Sequence, residues 1–216
     1  MPLYPIFLKL EGHKVLIVGG GRIAEEKAEA VLRSATDVTV LAPQLTERLR
    51  LWAHKGLVQH VPEPYRPGLA RGYFLVIAAT DSAETNRAVY QEAKADGALS
   101  NAVDDPGYCD FYSPAVVHRG DFQIAVSTGG HSPALAQQVR KKLEREFGPE
   151  YGPWTAWLGR MRTALRSVLP PSERRKELLH LLALGRPQKT EGGADGRGQT
   201  ERVGSQAETG FERASA

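Results

Sequence analysis

Apolar runs of strand type alternate with amphipathic helical patterns along the first half of the chain. Lys14 to Val18 is a short apolar run that ends in three glycines, and residues 22 to 34 then carry Ile23, Ala24, Ala28, Val31 and Leu32 on one helical face. Val38 to Leu41 predicts a second strand, followed by a helix through Leu49, Trp52 and Ala53. Leu57 to Val61 predicts a short third strand, and Tyr73 to Ala79 (YFLVIAA) a fully buried fourth. Asp81 and Glu84 form a D-x-x-E start to a helix reaching about Asp96, and Ala98 to Val103 is a further strand. Strand, helix, strand in this order predicts an α/β fold, a Rossmann-like parallel sheet covered on both faces.

The pattern changes after Pro106. Residues 113 to 118 and 122 to 127 are β-rich runs joined by Arg119-Gly120-Asp121, a predicted hairpin in which Phe122, Ile124 and Val126 alternate with Gln123 and Ala125. Ser132-Pro133 then opens a helix with a cap and a first-position proline, and Leu135, Val139, Leu143 and Phe147 recur along it. A second helix carries Trp154, Trp157, Leu158, Met161, Leu165 and Val168 on one face, and a third covers about Ser172 to Leu184. From Gln188 onward only Val203 and Phe211 are sizeable apolar residues, so this stretch reads as a disordered tail. The predicted organisation is a dinucleotide-binding domain over 1–112, a β-rich region over 113–147, a small helical domain over 148–187 and the tail over 188–216.

Composition narrows the function. With 41% hydrophobic and 25% charged residues, no apolar run of spanning length and an opening too short for a signal peptide, the expectation is a cytoplasmic protein without a membrane partner. The net charge of +3 and basic runs of a single helical turn (Arg140 to Lys142, Arg174 to Lys176) predict no nucleic-acid partner. One cysteine, Cys109, excludes an intramolecular disulfide, and the six histidines show no metal-ligand spacing.

Gly19-Gly20-Gly21-Arg22-Ile23-Ala24 fits G-x-G-x-x-A, placed after a strand and at the start of a helix. There Gly19 permits the tight turn, Gly21 lets a pyrophosphate approach the backbone, and Ala24 packs the helix closely on the sheet. The acidic residue expected at the end of the second strand is absent: that strand runs into Ala42-Pro43-Gln44, leaving Gln44 or backbone groups for the ribose. No arginine stands in that turn, which favours NAD over NADP, although Arg22 is near enough to be considered. Thr80 and Asn86, after the YFLVIAA strand, either face the cofactor or belong to the cap of the next helix. Asp104 ends the fifth strand at the same edge, either as a general base or as part of an Asp-Asp-Pro turn. Ser127-Thr128-Gly129-Gly130-His131 is a second glycine loop entering a helix, either an anion nest suited to substrate carboxylates or a hairpin exit before a capped helix.

Taken together, Pro5-Ile6-Phe7 with Leu10, VLIVGGGRIAEEK from Val15, IAATD from Ile77 with Asn86, NAVD from Asn101, Phe111 with Pro114, and AVSTGGHSP from Ala125 resemble the precorrin-2 dehydrogenase family, which includes the N-terminal module of bifunctional sirohaem synthases. The resemblance implies a homodimer of Rossmann, dimerisation and helical regions. It also implies a reaction in which precorrin-2 loses a hydride to NAD and a proton, giving sirohydrochlorin. The family's essential aspartate falls on Asp104, and its cofactor contacts fall on the glycine loop, Arg22, Ile23, Pro43 and Gln44. Some members also insert ferrous iron into sirohydrochlorin, and a lyase of that kind is one rival reading. A non-enzymatic NAD-sensing module is the other. No stretch of these 216 residues resembles the methyltransferase module of the fused synthases.

Overall fold

Val15, Leu16, Ile17 and Val18 are all buried, so β1 (Lys14–Val18) is covered on both faces. It is flanked by β2 (Asp37–Leu41) and β4 (Leu75–Ala78), with β3 (Gln59–Val61) and β5 (Leu99–Ala102) outside them, in the order β3-β2-β1-β4-β5 and parallel throughout. Val15 and Ile17 share a cluster with Ala24, Ala28 and Val31 of α1 (Arg22–Val31) and Leu49 of α2 (Glu47–His54). Leu16 and Val18 alternate to the other side, where they meet Val89 and Ala93 of α3 (Ala83–Ala95). Each buried valine, leucine or isoleucine among them stabilises the fold by roughly 1.5–3 kcal/mol. The computed structural model describes residues 3–185 and 187, so the predicted tail at 188–216 lies outside the described residues.

Register places the chemistry. Val18 is paired with Leu41 and with Ala78, and Ala78 with Ala102, so β1, β2, β4 and β5 finish level with one another. The chain leaves β1 outward through β2 and β3, then returns to the opposite side of β1 as β4. That reversal opens a crevice beyond the carboxyl ends of β1 and β4, where open α/β sheets bind ligands.

One sequence expectation is corrected. The cap of α3 is Ser82, not Asp81: Ser82 is extended and its hydroxyl accepts from Thr85 N at 3.1 Å. In α4 (Pro133–Glu146) the buried residue is Ala136, while Leu135 is 50% exposed. A spacing of four advances about 40° per step around a helix, so Leu135 and Phe147 cannot share one narrow face.

On α3, Glu92 secures the segment before β4. Its carboxylate accepts from Gly68 N at 2.9 Å, Ala70 N at 2.9 Å and the Tyr65 hydroxyl at 2.8 Å. Burial pushes this carboxyl up, but the Gly68, Tyr65 and Ala70 donors outweigh it and leave it below its ordinary value. Burial and the Glu92 charge both push the Tyr65 phenol up.

β6 (Ala115–Arg119) and β7 (Phe122–Val126) form the expected hairpin, turning through Gly120 at φ +63°. The chain divides into two compact units. One runs to Val116 and includes Ala125–Lys142; the other is Val117–Ile124 with the described residues from Leu143 onward. In the second, Arg119 donates to the carbonyls of His118, Glu144 and Phe147 at 2.9, 3.0 and 3.0 Å, which satisfies carbonyls at the end of α4. Phe122, Phe147 and Tyr151 form a ring cluster with centroids 5.1 to 5.5 Å apart. α5 (Tyr151–Val168) and α6 (Glu173–Leu184) contain no fully buried residue. No helix among the described residues is long and apolar enough to cross a membrane.

Candidate functional site

The glycine loop is shaped by two close backbone approaches. Gly19, at φ +122°, donates its N–H to Leu41 O at 2.9 Å, and a Cβ there would stand 2.3 Å from Ala79 O at the end of β4. At Gly20 a Cβ would stand 1.9 Å from Gln44 O, because the turn after β2 folds over it. Both positions therefore require glycine on steric grounds alone.

Gly21 differs. A Cβ there meets nothing within 4 Å, and Gly21 lacks a side chain to cap α1. The first α1 residue position bonded back to the loop is Glu25, whose N–H donates to Gly21 O at 3.0 Å. The N–H groups of Arg22, Ile23 and Ala24 thus stand at an uncapped helix start before open space, as an approaching pyrophosphate requires. Ala24 is fully buried between α1 and the sheet, while Ile23 is 40% exposed and the Arg22 side chain is outermost, 3.8 Å from Glu26. Residues present thus fit a dinucleotide.

Pro43 and Gln44 are exposed beside this loop. Their turn is held by Ala42, which donates to Val61 O and accepts from His60 Nε2 at 2.9 Å, and by Thr46, which donates to Gly20 O at 2.9 Å. Glu25, the acid of the first α1 turn, is engaged by the start of α2: it accepts from the Thr46 hydroxyl at 2.6 Å and lies 3.7 Å from Arg48.

Thr80 and Asn86 are brought together and bind each other. Asn86, buried, accepts from Thr80 N at 3.0 Å and from the Thr80 hydroxyl at 2.7 Å, and donates to Thr80 O at 3.1 Å. Ser82 N in turn donates to the Thr80 hydroxyl at 3.3 Å. This clasp shapes the turn after β4 that backs Gly19.

Asp104 follows β5 at the same sheet edge and is exposed. It has φ +64°, the one positive value outside glycine among the described residues. Aspartate tolerates this region better than most residues, yet it persists only where the surroundings impose it. The surroundings are extensive. Asp105 N donates to Ala102 O at 3.2 Å, and the Cys109 thiol lies 3.2 Å from Ala102 O and 3.3 Å from Asp105 O. Asn101 donates to Phe111 O at 2.8 Å, and Asp110 accepts from Ser100 N at 3.1 Å and pairs with Lys94 at 2.5 Å. Burial pushes the Cys109 thiol up, so it stands there as a neutral donor. Sequence reasoning missed Cys109, Asp110 and Asn101 as supports; the run of acids after an apolar strand was their only local signal.

The second glycine loop turns through two successive glycines. Gly129 and Gly130 are both left-handed, at φ +61° and +84°. Ser127 accepts from Gly129 N at 3.1 Å, Thr128 accepts from Ser132 N at 3.1 Å, and His131 N donates to Thr128 O at 3.1 Å. Ser132 caps α4 by accepting from Leu135 N at 3.3 Å, and the His131 ring is exposed.

Comparisons with known proteins agree with this geometry. Residues 6–115 match the family model described as "Putative NAD(P)-binding", and residues 119–146 match the one described as "Sirohaem biosynthesis protein central". A sirohaem synthase of Chromobacterium violaceum is 39% identical over 176 residues, covering 82% of this chain and 37% of that protein. The sirohaem synthase of Methylobacillus flagellatus is 37% identical over 176 residues, 82% of this chain and 38% of that one. The chain thus spans little more than a third of these relatives' length. The solved structure of SirC, a precorrin-2 dehydrogenase, superposes with a TM-score of 0.72 at 26% identity, covering 83% of this chain and 89% of that chain. The expected α/β architecture of parallel sheet, small antiparallel hairpin and C-terminal helices is the one observed. On these matches and the glycine-loop geometry, the chain belongs to the family described as "Putative NAD(P)-binding" and carries a segment similar to the central part of sirohaem-biosynthesis proteins.

Proposed function

We propose that this chain oxidises precorrin-2 to sirohydrochlorin, with NAD as the acceptor and Asp104 as the proton acceptor. The observation that carries the reading is the placement of Asp104, strained and exposed, on the sheet edge that also bears the uncapped glycine loop. The likeness to SirC supports the substrate class. When bound, the dinucleotide supplies a two-electron hydride acceptor. The α1 N–H groups and Gly21 bind its pyrophosphate, Pro43 and Gln44 border its ribose, and the Thr80–Asn86 clasp keeps the β4 turn clear. Asp104 takes the proton that leaves the tetrapyrrole as the hydride departs, so substrate loses two hydrogens and NADH and one proton result.

In this reading residues 1–112 hold the cofactor, and 113–147 supply the dimer contact and the substrate loop. Residues 148–187 form the helical domain. The left-handed pair Gly129–Gly130, with Ser127, Thr128 and His131, receives substrate carboxylates. Homodimer formation through residues 113–147 is supported by Leu135 of α4, which is half exposed. A cytoplasmic site of action suits an enzyme that draws on NAD.

The test is anaerobic formation of NADH from enzymatically generated precorrin-2. Signal that disappears in Gly21→Asp supports the reading. Folded protein that binds NAD and yields no NADH overturns it.

A further inference from the structure

The turn that carries Asp104 is gripped from a separate element. Arg87 of α3 donates from Nε to Asp105 Oδ2 at 2.8 Å, and its guanidinium carbon lies 5.2 Å from the centre of the Tyr108 ring. Tyr108 stands edge-on to Tyr90, also on α3, with centroids 5.4 Å apart. Arg87 therefore holds both the residue after Asp104 and the aromatic ring that closes the loop.

Stability is a poor explanation for this contact. The Arg87 and Asp105 side chains are 51% and 24% exposed, and solvent-exposed ion pairs contribute little to folding. What the contact does supply is geometry. Asp105 is already tied to Ala102 through its own N–H and through the Cys109 thiol, so fixing its carboxylate removes the remaining freedom of the turn. Asp104 sits within that turn at φ +64°, and its own carboxylate makes no hydrogen bond or ion pair among the described residues. A constrained backbone thus presents an unengaged carboxylate.

We propose that Arg87 is a positioning residue for proton removal, acting through Asp105 and Tyr108 to hold the Asp104 carboxylate where the substrate must meet it. This rests on the reading of Asp104 as proton acceptor. A misplaced reacting group costs turnover rather than binding, so the consequence is specific.

The experiment is a double-mutant cycle on the full chain, with precorrin-2 and NAD as substrates. Arg87→Ala is expected to lower kcat about tenfold, with KM for precorrin-2 and Kd for NAD changed by less than about twofold. Arg87→Lys, which keeps a cation on Asp105, is expected to recover most of the loss. In the Asp104→Asn background, Arg87→Ala is expected to cost almost nothing further, because it acts only through that carboxylate. Three outcomes overturn the proposal while leaving Asp104 in place: unchanged kcat in Arg87→Ala, a raised KM at constant kcat (direct contact with a substrate carboxylate), or losses that multiply in the double variant. Full turnover in Asp104→Asn removes the proton acceptor itself, and the role of Arg87 falls with it.

Discussion

The sheet unit and the helical unit use apolar residues in opposite ways. In the first, β1 and β4 are buried along their length, and α1, α2 and α3 each bury residues against them. In the second, α5 and α6 bury nothing fully, and Leu178, Leu181 and Leu184 are 37, 62 and 65% exposed. The sheet unit has a closed core, whereas the described residues of α5 and α6 reach partial burial at most.

Core substitutions offer the sharpest break in that contrast. Leu49→Ala, at a fully buried position of α2, is expected to cost roughly 2–5 kcal/mol in urea unfolding. A loss below about 1 kcal/mol would mean the sheet core is loosely packed after all. Next comes the glycine loop. Gly19→Ala combines a left-handed φ with a clash on Ala79 O and is expected to destabilise by about 3 kcal/mol. Gly21→Ala meets open space and is expected to leave stability within about 0.5 kcal/mol while weakening NAD binding in calorimetry. Equal stability of the two variants would undo the distinction between structural and ligand-facing glycines.

Glu92→Gln tests how the sheet unit is tied. The Glu92 carboxyl lies below its ordinary value in the fold, so its stabilisation is complete above the unfolded carboxylate range and fades as pH falls through the folded value. Loss of a partly solvated charged acceptor should cost about 1 kcal/mol at neutral pH. The variant and the parent should converge on acidification, which melting curves across pH would check; a gap that persists in acid points to packing instead. The smallest effect is expected at Leu181→Ala, below about 0.5 kcal/mol in the monomer. A larger loss that depends on protein concentration would place this leucine in a subunit contact.

Legibility followed the range of the physics involved. β1 and the helix after it could be placed from a buried run, three glycines and an apolar face, because each signal is local. The α3 cap was misplaced by one residue, since Asp81 and Ser82 are both competent caps and only the backbone of Ser82 is extended in the fold. The supports of Asp104 were illegible: Arg87 lies eighteen residues before Asp105, and nothing in either neighbourhood announces the pair.

By itself, the sequence determined the alternation of strands and helices, the glycine turn and the acidic turn after β5, because side-chain periodicity and glycine's backbone freedom act over a few residues. Tertiary structure alone decided that four strands end level, that Ala79 O and Gln44 O close on Gly19 and Gly20, and that α3 reaches Asp105. Those relations depend on register and on packing between distant segments, which no local pattern encodes.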